Sequence, residues 1–161
     1  MSNSRSALAP LILLSEFGGD WVKYLEAIYG VFKVDFLDSI PYWRGERVSI
    51  KRDPIKLGLE AGFWHMITEG KIEDERTPDL RRFERIRWPR PILDETTDDD
   101  IRIWVEQRQG QDRIHIWVVT QDYVVILAQR NGYCILWTTF LAEEPHKRRK
   151  LNRRFEDATK S

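Results

Sequence analysis

The segment Phe63-Trp64-His65-Met66-Ile67-Thr68-Glu69-Gly70 carries the side chains whose spacing best suits proton transfer. His65 lies one residue off an apolar helical stripe, a position at the boundary of helix and sheet where an imidazole is half desolvated. Glu69 follows four residues later on the same helical face, so it can orient the ring for general acid or base work. The same spacing also describes a histidine at the edge of a core with its hydrogen bond satisfied.

A second group is Arg81-Arg82-Phe83-Glu84-Arg85-Ile86-Arg87-Trp88-Pro89-Arg90. On a helix Arg81 and Arg85 stack at i, i+4, and Arg82 lies at i, i+3 from Arg85, so like charges crowd one side and call for an anion opposite. One candidate anion is a ligand phosphate, held by Arg81, Arg82, Arg85, Arg87 and Arg90 with Trp88 stacking on a base. The other is a protein carboxylate, from the acidic run between Asp94 and Asp100 or from Glu73, Asp74 and Glu75. Lys147, Arg148, Arg149, Lys150, Arg153 and Arg154 form a third basic group, suited to phosphate contacts without sequence selectivity. Near the end of the chain, Trp137-Thr138-Thr139-Phe140 sets two hydroxyls on opposite faces of a strand.

Other chemistries find no support. There is no glycine-rich phosphate loop, no GxSxG elbow and no HExxH pair. His65, His115 and His146 come from three different elements, a spacing that gives no metal site, and no cofactor is expected. Cys134 is the single cysteine, which excludes an intramolecular disulfide and a thiolate cluster and suits a cytoplasmic setting.

The elements that must position these groups follow from periodicity. Asp20 is a cap for a helix with the apolar stripe Trp21, Tyr24, Leu25, Ile28, Tyr29, Phe32 and Phe36. Residues 42–50 suggest a small hairpin around Gly45. Asp53-Pro54 and Thr77-Pro78 each look like a helix start, the first helix running through Ile67 and the second ending at Pro89 and Pro91. Beyond the acidic run the period falls to two. Four strands are expected, at 101–108, 113–120, 123–130 and 133–141, with Asn131-Gly132 as a type I′ turn. Their short connections make them an antiparallel meander. One face of the first two strands is apolar, and the other mixes Arg102, Trp104, Glu106, Arg113, His115 and Trp117. After Pro145 a basic helix anchored by Leu151 and Phe155 closes the chain.

The expected fold is therefore α+β: N-terminal amphipathic helices packed on a four-stranded antiparallel β-meander, with a basic C-terminal helix. Residues 20–161 form one domain, and residues 1–19 are read as a flexible or docking extension. With 26 basic and 26 acidic residues the chain does not coat nucleic acid over its whole surface, although local basic stretches remain. No run approaches the roughly 18 apolar residues of a membrane span, so no membrane partner is expected.

The blocks Trp21–Tyr29, Phe63–Gly70, Arg76–Ile92, Asp122–Tyr133 and Trp137–Lys150 together resemble a family of small bacterial proteins with phage-associated relatives. Their order is similar to that of the barnase, EndoU, colicin-ribonuclease and RelE-like superfamily. That resemblance implies a metal-independent ribonuclease or RNA-targeting, toxin-like protein, with RNA and a cognate inhibitor protein as partners. It implies His65 as general acid or base, Arg82 or Arg85 stabilising the phosphorane charge, and Thr138 as an auxiliary donor. The substrate would be held by Arg81, Arg87, Trp88, Arg90, Lys147, Arg148 and Arg149. The second acid or base stays open among Glu69, Glu106, His115 and His146. The alternative is a non-catalytic nucleic-acid- or protein-binding module of the same fold.

Overall fold

Asp20 caps the first helix by accepting the Lys23 amide at 3.1 Å, and α1 (Trp21–Phe32) runs on into a wider π turn over Lys33–Leu37. Tyr24, Ile28, Phe32 and Phe36 are buried, the stripe expected from spacing. The computed structural model describes residues 8–72, 75–94 and 100–160. Within the N-terminal extension, residues 8–19 dock on the domain. Ile12 is buried, its carbonyl accepts the Tyr24 hydroxyl at 2.7 Å, and its amide donates to the Glu84 carbonyl at 3.0 Å.

Next, β1 (Tyr42–Trp43) and β2 (Glu46–Ile50) make the small hairpin around Gly45. The following helix, α2 (Ala61–Ile67), is shorter than expected. Lys56 and Leu59 exchange backbone hydrogen bonds of 2.9 and 3.0 Å across Leu57-Gly58, and this tight turn replaces the first helical turns expected after Pro54. Thr77-Pro78 does not start a helix either. It forms β4 (Thr77–Pro78), paired with β3 (Thr68–Glu69) in a separate two-stranded ribbon. The cap is Asp79, which accepts the Arg81 amide at 3.0 Å and opens the short α3 (Leu80–Glu84). Pro89 begins α4 (Pro89–Asp94) rather than ending a helix, since a missing N–H has no intrahelical partner to lose in a first turn.

β5 (Ile101–Arg108), β6 (Gln111–Val118), β7 (Tyr123–Gln129) and β8 (Cys134–Leu141) are the expected meander, and α5 (Pro145–Thr159) is the basic helix. The sheet is larger than four strands. Its order is β1-β2-β8-β7-β6-β5, and β2 lies parallel to β8 with Val48 opposite Cys134 and Ile50 opposite Leu136. The four-stranded antiparallel sheet is thus corrected to a mixed sheet of six. Glu46–Ile50 is too short for its alternation to stand out from a loop, and its partner is remote in sequence. The turns also differ from expectation. Asn131-Gly132 is left-handed only at Gly132, whereas Gln109 and Gly110 are both left-handed and make the tight β5–β6 connection.

One face of the sheet carries Ile114, Ile116, Val118, Tyr123, Val125, Leu127, Cys134 and Leu136 into the main core with α1 and α2. The opposite face carries Trp104, Trp117 and Val124 into a smaller core with Leu151, and Phe155 of α5 packs against it. The close approach of α2 to the strand side is set by Gly62. Its amide donates to the Lys51 carbonyl at 2.7 Å, and a Cβ there would lie 3.0 Å from that oxygen and collide with the Ile50 side chain. Helix propensity alone favours alanine by about 1 kcal/mol. Gly62→Ala is nevertheless expected to lower stability by about 1–3 kcal/mol, the usual cost of overpacking, read from the urea unfolding midpoint. A higher midpoint would show that α2 has room to shift.

Candidate arginine-lined cleft

The outer face of the meander brings a lateral row of side chains together because the strands are in register: Trp104 on β5 faces His115 on β6, His115 faces Ile126 on β7, and Ile126 faces Thr138 on β8. The register slips between Ile126 and Leu127, which leaves Trp137 as an inserted residue in β8. Such a bulge re-aims neighbouring side chains. Here Trp137 and Thr138 line one cleft of about 570 Å³ with Arg108, Gln109, Arg113, His115, Ile126 and Arg154.

Arg113 is the unusual group of this cleft. Its residue is only 9% exposed, and its guanidinium lies 4.2 Å from the centre of the Trp137 ring. One Nη1 hydrogen bond, of 3.0 Å, goes to the Gln111 side-chain oxygen. Among the described residues no carboxylate comes within ion-pair distance of it, and none of the residues lining the cleft is acidic. Burial, with the charges of Arg130 and Arg108 close by, pushes its pKa down from the ordinary arginine value, yet a guanidinium keeps its proton at any physiological pH. Lys51 adds a further cation, 5.7 Å from the Trp137 ring centre.

Arg154 reaches the cleft from α5 and is held from two sides. It gives Glu106 two hydrogen bonds of 2.7 Å, and its Nη2 lies 3.1 Å from His115 Nε2. The His115 ring stacks flat on Trp104, with centroids 4.8 Å apart and planes 13° apart, and its Nδ1 lies 3.2 Å from the Arg113 carbonyl. With the proton on Nδ1, the ring donates to that carbonyl and accepts from Arg154, so both nitrogens are used. Burial first, helped by the charge of Arg154, pushes the His115 pKa down to about 4 against the pull of Glu106. Burial raises Glu106, but hydrogen bonds from Arg154 and Trp104 more than reverse this and hold it at about 2. Glu106 and His115 therefore serve as a fixed carboxylate and a neutral imidazole that position Arg154.

The candidate residues read from sequence fall in several places. Thr138 lines the cleft, donates to the His65 carbonyl at 2.9 Å and receives Arg82 Nη1 at 3.4 Å. His65, Arg82 and Thr138 are thus neighbours, although His65 enters this contact through its backbone; its ring stands edge-on to Trp137 at 6.3 Å. Arg82 is also bound to Asp79 at 3.1 Å and to the Thr68 carbonyl at 2.6 Å. Arg81 pairs with Glu143, and Arg85 lies 3.5 Å from Glu84 and 5.1 Å from the Trp88 ring centre. The anion called for by this crowded helix is supplied by the protein, from Asp79, Glu84 and Glu143. The carboxylates expected within 95–99 and at Glu73 and Asp74 lie outside the described residues.

Trp88 is buried, donates to the Ala9 carbonyl at 2.8 Å and meets Tyr123 edge-on, so the expectation that it stacks on a base is corrected. Arg87 and Arg90 line a separate groove beside α1, Arg90 pairing with Asp94 at 3.1 Å. On α5, Lys147 pairs with Glu144 at 3.0 Å, Arg148 pairs with Asp122, and Arg149 is exposed. Glu69 and His146 are exposed and lie outside the cleft. Sequence reasoning passed over Arg108, Arg113 and Trp137 as site residues and gave Arg154 only as one of the basic C-terminal group; the signal for Arg113 was the mixed aromatic and charged face of β5 and β6. No family model matches the sequence, and neither a curated protein nor a solved structure matches it.

Two outcomes follow. Because Arg82 is spent on Asp79 and a backbone carbonyl, Arg82→Lys is expected to cost about 1–3 kcal/mol of stability, read from the urea midpoint; an unchanged midpoint would free this arginine for a ligand. His115 is held neutral below its unfolded pKa near 6.5, so the unfolded chain binds the extra proton first and stability must fall as pH drops from about 6.5 to about 4. His115→Gln is expected to be less stable at pH 7 but to lose most of that slope, and a slope equal to the wild type's would place the pH dependence elsewhere.

Proposed function

We propose that the protein binds single-stranded RNA in the cleft between the outer sheet face and α5. One observation carries this reading: Arg113 is a largely buried residue whose guanidinium has no carboxylate partner among the described residues and lies against the Trp137 ring in an arginine-lined cleft. Buried charges are ordinarily paired, so a site that leaves one unpaired is completed by an anion from outside. Arginine beside tryptophan suits a phosphate next to a base, the combination that binds single strands. No helix among the described residues is long and apolar enough to cross a membrane.

A second reading adds chemistry, that of a metal-independent ribonuclease of toxin-like character. It is favoured by the juxtaposition of His65 with Thr138 at the cleft edge, where Thr138 is shared between the cleft and the Arg82 contact. In that reading the His65 imidazole moves the proton, Thr138 turns its hydroxyl from the His65 carbonyl to the phosphate, and the cationic cleft neutralises the phosphate oxygens.

Both readings are tested with a chelator present. Fluorescence anisotropy of a labelled single-stranded RNA is expected to show binding that weakens steeply with salt, and Arg113→Gln is expected to weaken it roughly tenfold; binding indifferent to salt and to Arg113 would remove the cleft from consideration. Incubation with total RNA then decides the chemistry. Cleavage abolished in His65→Ala with an unchanged melting temperature supports the ribonuclease, whereas binding without cleavage leaves a binding module.

A further inference from the structure

The charges around the cleft do not balance among the described residues. Arg108, Arg113 and Arg154 line it, and Arg130 stands close enough to act on Arg113. Of these four guanidinium groups, Arg154 is bound to Glu106 and Arg108 lies 3.2 Å from it, while Arg113 and Arg130 have no carboxylate within ion-pair distance among the described residues. His115 is neutral, so the positive charge of Arg113 and Arg130 remains over. A phosphodiester within a strand brings one negative charge; a phosphate monoester brings about two at pH 7.

Access points the same way. The Arg113 guanidinium is covered on one face by Trp137 and tied at one Nη to Gln111. A strand passing through would need to enter and leave beside it, with a ribose on each flank. A chain end needs only one opening. Thr138 and Arg154 line the same space, and Arg154 keeps one guanidinium nitrogen, Nη1, that neither Glu106 nor His115 takes.

We infer that the cleft is a subsite for a terminal phosphate monoester, with Arg113 as its central ligand and Arg108, Arg130 and Arg154 supplying the remaining charge. The site thereby selects RNA by its end rather than by its bases. This inference rests on the RNA-binding reading above.

The test uses the full chain, a chelator, and one short labelled RNA made with a 5′-phosphate, with a 3′-phosphate, or with hydroxyls at both ends. One phosphorylated form is expected to bind roughly tenfold more tightly than the hydroxyl form, and the form that does so identifies which end is read. Arg113→Lys is expected to remove most of that advantage, because a point charge cannot reproduce the planar fork. Arg130→Gln, at a half-exposed turn residue, is expected to reduce it severalfold, and keeps the test valid where a change at buried Arg113 impairs folding. Equal affinity for the three RNAs overturns the terminal-phosphate inference and leaves the RNA-binding reading standing. An advantage unaffected in Arg130→Gln and in a folded Arg113→Lys overturns the assignment of these residues. Absence of binding by all three RNAs overturns both the reading and the inference.

Discussion

Arg154, wedged between the Glu106 carboxylate and the His115 imidazole, is the contact on which the outer half of the molecule depends. Leu151 and Phe155 give α5 an apolar seat on Trp104 and Trp117, but apolar seats tolerate sliding. The guanidinium does not. It meets both oxygens of Glu106 while touching His115, and one register of the helix on the sheet satisfies all three groups. Removing one member leaves the others buried and unpaired, which costs several kcal/mol and exceeds what the pair itself adds. The cation Arg102, lying over both Trp117 and Phe155 and bonded to Asn152, continues this mixed polar and aromatic seam along the same interface. A surface that sequence alone gives as charged and aromatic is thus a second, polar core.

On the other side of the sheet a related device holds α2. Its last carbonyls have no intrahelical partners and are met from outside, Arg76 reaching the His65 oxygen at 3.4 Å and the Asp79 amide the Ile67 oxygen at 2.8 Å, while Arg76 and Arg82 both bind the Thr68 carbonyl just past its end. Cations at this end of a helix also complement its dipole. Thr138 completes the clamp by binding the His65 carbonyl, so α2, α3 and β8 meet at one point. This explains why the arginine-rich segment before the sheet looks like a ligand site when read as sequence. Its charges are compensated, but by short-range partners at 79, 84 and 143 and by backbone oxygens that composition does not reveal.

The parts of the fold legible in sequence are those governed by local periodicity. Asp20 and the aromatic stripe of α1, the alternation of β5 to β8 and the basic C-terminal helix all declare themselves over windows of eight residues or more. What escaped depends on distant partners or on single residues. The pairing of β2 with β8 joins two remote segments, and the turn at Leu57-Gly58 overrides a sound helix-start signal. The cleft was half legible: Thr138, Glu106 and His115 stood among the candidates and Arg154 within the basic C-terminal group, while Arg113 was hidden as one charged residue of a mixed strand face. An arginine at an alternate strand position reads as solvated until its neighbours across three strands are known, and Trp137, which stacks on Arg113, comes from two strands away.

The bulge at Trp137 gives the cleft a dependence of another kind. Because β8 carries one residue more than β7 across the slip, Trp137 and Thr138 both take part in the cleft while Thr139 is buried at the far side, its hydroxyl toward the Met66 carbonyl. The composition of the cleft is thus written in the length of a strand as much as in its side chains. Excising Trp137 would restore regular pairing with Thr138 still facing outward, and would take from the cleft the ring that lies against Arg113, without altering a single remaining amino acid. In descent with modification such a site tolerates many replacements around it but not a frame-preserving gain or loss of one codon within it, so conservation of spacing, rather than of identity, is the trace it would leave among its kin.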